Sequence, residues 1–280
     1  MIALLLVASL LQSAPPASEA AKAFAEANEL FAKAAGTDTA ANEKVLAAYD
    51  RAIALDPAKA DYHIGRGRTL ARLRKYDEAF GAYGAALRLE PNNPMILRYR
   101  GHNYINVKRI DDALTDLTKA EAMKKDDNGI YYHLALAQYL KGNYAEAAKA
   151  YEGCVRTAPA TDEGPVACRA WQYLALRRAA RAADAAKVLE TVNADLKLTE
   201  SAAYLDRLLL FKGVKTEQEV AKRMEEGPLQ ASTVGYGIGM WHLLDGRADQ
   251  AKDYFKKATS TDAWNSFGAV ASDVELKRMK

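Results

Sequence analysis

Ala82-Tyr83-Gly84-Ala85-Ala86-Leu87-Arg88-Leu89-Glu90-Pro91 decides the fold, because the chain repeats this phrase. Ala48-Tyr49-Asp50-Arg51-Ala52-Ile53-Ala54-Leu55-Asp56-Pro57 precedes it and Ala150-Tyr151-Glu152-Gly153-Cys154-Val155-Arg156-Thr157-Ala158-Pro159 follows it. The closing prolines therefore stand thirty-four and twice thirty-four residues apart. Lys125 holds the intermediate mark, and the copy ending there keeps Leu117, Ala120 and Met123. A fixed period of this length marks stacked units, each too small to bury its apolar face alone.

Each unit also has an earlier half. Gly67 with Leu70, Gly101 with Tyr104, and Ala135 with Gln138 share one phase; Tyr76 with Ala79, Ile110 with Ala113, and Tyr144 with Ala147 share another. Residues four and seven apart lie on one helix face. Small side chains there let two helices approach, while Tyr83, Leu117 or Tyr151 fills the gap between them. Each proline ends the second helix, having no amide proton for the next turn.

These residues resemble the tetratricopeptide repeat. Its pattern implies one small residue in the first helix and two, seven apart, in the second: Ala79 with Ala86, Ala113 with Ala120, and Ala147 with Cys154. The fold so implied is all-α, a right-handed superhelix of stacked helix-turn-helix units. Residues 58–159 carry the match as three consecutive units without insertion. Phe24 to Pro57 reads as a further unit whose turn is swollen by Gly36-Thr37-Asp38-Thr39.

The expected organisation is a signal peptide at 1–20, an N-terminal array of about four units at 21–159, degenerate helical repeats at 160–231, and a final unit with a capping helix at 232–280. In the degenerate part Trp171 opens a helix, Ala183 to Leu196 gives its partner, and a second pair lies around Gly213. The final unit is carried by Gly239, His242, Gly246, Ala251, Phe255 and Ala258, and Trp264 to Met279 is expected to cap the stack. This tail, ending in Val274-Glu275-Leu276, is loosely similar to that of the NlpI-type envelope adaptors, which implies a periplasmic scaffolding role. The lipid-bearing Cys of that family is absent.

Composition agrees with a soluble helical protein: half of the 280 residues are hydrophobic, 27% are charged, and prolines number only 8. A net charge of +3 is far from the basic excess of a phosphate-tracking protein, so nucleic acid is not expected as a partner. Ile2 to Leu11 is an apolar run too short to span a bilayer, and Ser18 and Ala20 supply small residues for a signal peptidase cutting after Ala20. The mature chain is then expected to be periplasmic or secreted, without a transmembrane anchor. Two readings of Cys154 and Cys168 stand: they pair in an oxidising compartment, or Cys154 fills a small core site and Cys168 is an incidental thiol.

No catalytic, metal or cofactor motif emerges, and no enzyme is expected. His63, His102, His133 and His242 lie far apart in the chain with no second ligand at helical spacing. Gly235-Tyr236-Gly237-Ile238-Gly239 lacks phosphate-loop spacing and reads as close helix packing. Partners are expected to be proteins or peptide segments, bound along first helices lining a concave wall. The wall's candidates are Asp61, Ile64, Arg68 and Arg72, then Met95, Arg98, His102 and Asn106, then Tyr132, Leu136 and Tyr139; arginine and tyrosine are common anchors. The expected ligand has an acidic end near Arg68 and Arg98 and an apolar group near Tyr132 and Tyr139. Two other classes remain open: a homo-oligomer paired through Tyr204 to Phe211, and an enzyme or small-molecule sensor with a pocket in 160–231.

Overall fold

The computed structural model describes residues 18–123 and 127–279, and among them all regular structure is helical. The Ile2 to Leu11 run and Lys125 lie outside the described residues. Two compact units divide the chain between Glu90 and Pro91.

The first unit comprises α1 (Glu19–Lys33), α2 (Thr39–Leu55), α3 (Ala60–Arg72) and α4 (Tyr76–Leu89). Ser18 caps α1 by accepting from the Ala21 amide at 3.2 Å, so the expected cleavage after Ala20 falls inside the first helical turn. Asp38 caps α2 in the same manner and closes the swollen turn. Helices α2 and α4 each stop two residues before Pro57 and Pro91. Helix pairing follows the small-against-large logic: a Cβ on Gly67 would lie 2.7 Å from the buried Tyr83 ring, and one on Gly65 2.2 Å from Tyr49. Only glycine admits those rings.

The second unit opens with α5 (Pro94–Asn106), α6 (Ile110–Met123), α7 (Asn128–Lys141) and α8 (Tyr144–Thr157). It continues through α9 (Val166–Arg178), α10 (Ala182–Glu190), α11 (Ala202–Phe211), α12 (Glu217–Ala221) and a 3-10 turn at Lys222–Glu226. It ends with α13 (Pro228–Leu244), α14 (Ala248–Thr259) and α15 (Phe267–Arg278). Ala113, Ala120, Ala147 and Cys154 are fully buried, as the period requires. The period reappears in the backbone. Arg74, Lys108 and Gly142, thirty-four apart, take left-handed φ values of 60°, 64° and 101°. Each lies in a turn where the next amide reaches back five residues, as Arg109 does to the Tyr104 carbonyl at 2.8 Å.

Three expectations are corrected. Helix α9 opens at Val166 rather than Trp171, and its partner α10 ends at Glu190 rather than Leu196. The Tyr204 to Phe211 helix is not a free face for pairing between copies, because Leu208, Leu209 and Leu210 are buried and Phe211 lies on Tyr173, ring centroids 4.6 Å apart. The last helix starts at Phe267 rather than Trp264 and does not simply cap an end. It packs on α13 and α14 and reaches the inner helix α5. At Gly268 it comes so close that a Cβ would sit 2.4 Å from the Ser232 carbonyl oxygen of α13.

Candidate functional site

The wall candidates meet different fates. In the first unit Arg68 and Arg72 both lie over the Phe31 ring of α1, their guanidinium carbons 4.5 and 3.4 Å from its centroid. Arg72 also donates to the carbonyls of Phe31 and Ala34 at 2.9 and 3.3 Å, satisfying the C-terminal end of α1. Burial, then the like charge of Arg68, lowers its pKa below the usual guanidinium value. Arg72 is thus a clamp between α3 and α1 rather than an open peptide ligand.

In the second unit the inner wall is already covered by α15. His102 on α5 and His133 on α7 meet with Nδ1 and Nε2 at 2.7 Å, so two histidines thirty-one residues apart are neighbours. Phe267, first residue of α15, closes over them at 5.2 Å from His102 and 5.7 Å from His133, with Tyr132 at 5.9 Å. Enclosure pushes the His102 pKa down to about 4, with Arg98 adding repulsion. His133 is lowered well below its usual value by burial and then by His102. The pair is therefore neutral near pH 7 and suits an apolar head group. No group of three or more metal-ligating side chains occurs among the described residues.

Charge holds the rest of α15. Asp273 pairs with Lys108 at 2.7 Å and Lys277 at 2.9 Å, which lowers its pKa against the opposing effect of burial. Glu275, 2% exposed, pairs with Arg178 of α9 at 3.0 Å and Arg278 at 2.7 Å. Arg278 also donates to the Leu140 carbonyl at the end of α7 at 2.7 Å. Arg178 donates to the Tyr144 hydroxyl as well, and despite the cost of burial its pKa is raised by Tyr139 and Glu275. A buried carboxylate so engaged stays put, since withdrawing one partner leaves a desolvated charge.

Arg98 lays its guanidinium on Gly129 at the start of α7, where a Cβ would fall 2.1 Å from Nη1. Its buried Nε has no hydrogen-bond partner among the described residues. Asn106 is buried and its Oδ1 is likewise unpartnered. Tyr139 is corrected outright: it is wholly buried, its hydroxyl accepting from Tyr236 at 2.8 Å, and so is Leu136. Tyr139 sits in the core because Tyr236 and Met240 of α13 cover its hydroxyl, on a face that a simple three-unit stack would leave open. Cys154 and Cys168 are joined, Cα atoms 5.9 Å apart, tying α8 to α9 across the inserted loop. The site residues that sequence reasoning missed are Phe267, Asp273, Glu275, Lys108 and Arg178. Their one signal was the aromatic-headed, acid-bearing terminal helix itself.

Helical hairpins of period thirty-four, with small residues where pairs touch, define a class of helical-repeat protein. Models of the tetratricopeptide repeat match residues 60–93 and 100–161. Relatives include a small glutamine-rich tetratricopeptide repeat-containing protein 2 of Mycosarcoma maydis, 29% identical over 38% of this chain and 30% of its own length. The peptidyl-prolyl cis-trans isomerase FKBP42 of Arabidopsis thaliana is 33% identical over 36% of this chain and 27% of its own. The chain thus spans under a third of the length of these relatives. A tetratricopeptide repeat protein of Parabacteroides merdae shares the fold at TM-score 0.57 and 16% identity, over 92% of this chain and 99% of that one. The pilF protein of Pseudomonas aeruginosa does so at TM-score 0.53 and 14% identity, over 92% and 97%. Residues 60–93 and 100–161 thus carry tetratricopeptide repeats, and such repeats mediate interactions between proteins.

Proposed function

We propose that the protein is an exported scaffold that binds acid-bearing segments of partner proteins on the inner wall of its second unit, the wall that α15 occupies within the chain. The observation that carries this reading is α15 itself. Its aromatic head, Phe267, enters the His102, His133 and Tyr132 pocket, and its acids meet Lys108 and Arg178. A wall that holds one helix by an aromatic residue and acids six and eight positions later fits another helix with that pattern, laid in a groove by its anchors. The ligand expected from sequence is kept in its chemistry, acid plus apolar group, and moved from the Arg68 to Tyr139 line to this wall.

Export to the bacterial envelope, periplasmic or secreted, is read from the Ile2 to Leu11 run with small residues up to Ala20. The Cys154–Cys168 bridge supports it, because such bonds persist in oxidising compartments. Among the described residues no helix is long and apolar enough to cross a membrane.

The test is a labelled synthetic peptide of the sequence Trp264 to Lys280, added to the full chain and to its Asp273→Asn/Glu275→Gln variant. The tethered α15 competes at an effective concentration in the millimolar range, so the parent should bind the peptide poorly. Weakening the resident helix should tighten peptide binding at least tenfold. Equal affinity for the two proteins, or binding of a scrambled peptide as well as the true one, would remove the proposal.

A further inference from the structure

Arg207 on α11 is 1% exposed, and its Nε, Nη1 and Nη2 have no hydrogen-bond partner among the described residues. Its guanidinium carbon lies 4.9 Å from the Trp171 ring centroid, 5.2 Å from Tyr204 and 5.6 Å from Tyr236. The chain makes room for it: a Cβ on Gly237 of α13 would stand 2.3 Å from Arg207 Cγ, so a helix-weakening glycine admits a cation to the core.

The neighbouring carboxylates do not serve it. Asp116, Asp206 and Glu275 are the buried acids of the second unit among the described residues. Asp116 pairs with Arg100, Asp206 with Lys215 and Arg223, and Glu275 with Arg178 and Arg278. Of the rings around Arg207, Tyr236 donates to the Tyr139 hydroxyl and Tyr204 meets that of Tyr132, which leaves the Trp171 indole in the same plight as the guanidinium. Trp171 Nε1 and the Tyr151 hydroxyl are buried and also unpartnered. Tyr151 packs edge-on against Tyr132, whose hydroxyl is 3.4 Å from that of Tyr204. Three aromatic faces offset part of the cost of burying a cation, but they satisfy none of its N–H groups, and desolvating an ion costs more than such contacts return.

The planar fork of Arg207 and the Trp171 indole N–H lie buried in one aromatic cluster, which reaches the Tyr151 phenol through Tyr204 and Tyr132, and that set matches the two oxygens and single charge of a carboxylate. We propose that this chamber, walled by α7, α8, α9, α11 and α13, binds a small monocarboxylate. Arg207, Trp171 and Tyr151 are at most 1% exposed, so the ligand is a free small molecule rather than a peptide chain, and its binding would tie α11 to α9 and α13. Tyr132 borders both this cluster and the α15 wall, but the experiment below uses neither the α15 peptide nor a substitution in α15. Failure of the carboxylate site and failure of the protein-binding reading are therefore separable.

The experiment is thermal unfolding of the full chain in sodium acetate and in sodium benzoate, against sodium chloride at equal ionic strength, for the parent and for Arg207→Met. The parent should show a saturable rise in Tm of several degrees with at least one carboxylate. Arg207→Met, which replaces an uncompensated cation by an apolar chain, should unfold no earlier than the parent in chloride and should lose the carboxylate response. No response from the parent, an equal response from the variant, or an equal rise in chloride would overturn the proposal. Should the variant not fold, the Trp171 indole N–H resonance of the parent, assigned by its loss in Trp171→Phe, decides. It should shift saturably with carboxylate and not with chloride; an unmoved resonance would overturn the assignment equally.

Discussion

Ala180 takes φ of 59° in the turn between α9 and α10, at the place where Gly142 and Gly246 serve the same role in their hairpins. An alanine pays for the left-handed region in steric strain that glycine avoids. Ala180→Gly should therefore stabilise the protein by about 0.5–1 kcal/mol, the strain relief being partly offset by the greater freedom of glycine when unfolded, as read from denaturant midpoints. This position was not legible in the sequence, because nothing in the letters marks a turn that an alanine tolerates. Gly67, Gly101 and Gly239 were legible, since each faces a large residue of the partner helix. A Cβ on Gly101 would reach Leu117 at 2.6 Å, and one on Gly239 would reach Phe255 at 2.5 Å. The spacing of small residues carried that information directly.

At the scale of the element, the helices bounded by prolines and by Gly246 were read closely, and those from α9 to α12 were not. The reason is visible in α9 to α12. Helix α9 still packs on α7 and α8, but α11 and α12 turn to α13 rather than to a next hairpin thirty-four residues on, so no period disciplines the ends of this stretch. The disulfide holds the first of these joints. It closes a loop of sequence separation 14, which by chain entropy contributes about 3 kcal/mol. The Cys154→Ser/Cys168→Ser variant should lose about that much, measured by urea unfolding beside the oxidised parent. A loss confined to a few tenths would mean the loop is held in place without the bond. The sequence left the pairing open because spacing does not reveal geometry.

At the scale of the molecule, the wall residues show what a one-dimensional pattern omits. His102 and Tyr132 were placed on the inner wall from phase alone, and the pattern could not show that the chain's own last helix returns to cover them. That return depends on contacts between residues far apart in sequence, such as Arg178 with Glu275 and Lys108 with Asp273. Burial of the two histidines under Phe267 has a consequence for pH. Both pKa values are depressed in the folded protein, so the unfolded chain takes up protons first as pH falls through its own value near 6.5. The stabilisation is complete above that value and is lost on descending to about 4, where folded His102 titrates. Tm should fall across this window, and the fall should be shallower in His102→Phe/His133→Phe. Arg98, which faces both rings, adds to the loss because it repels the imidazolium that would form.

The most direct measurement is amide hydrogen exchange of Phe267 to Arg278 in the full chain, with and without a saturating excess of the Trp264 to Lys280 peptide. Exchange reports local opening free energies, and the labelled peptide is separated from the protein by mass. Protected α15 amides are expected in the free protein, with a marked loss of that protection when the peptide takes the wall. Amides of α15 that exchange freely from the outset, or that keep their protection while the peptide is bound, would contradict this reading.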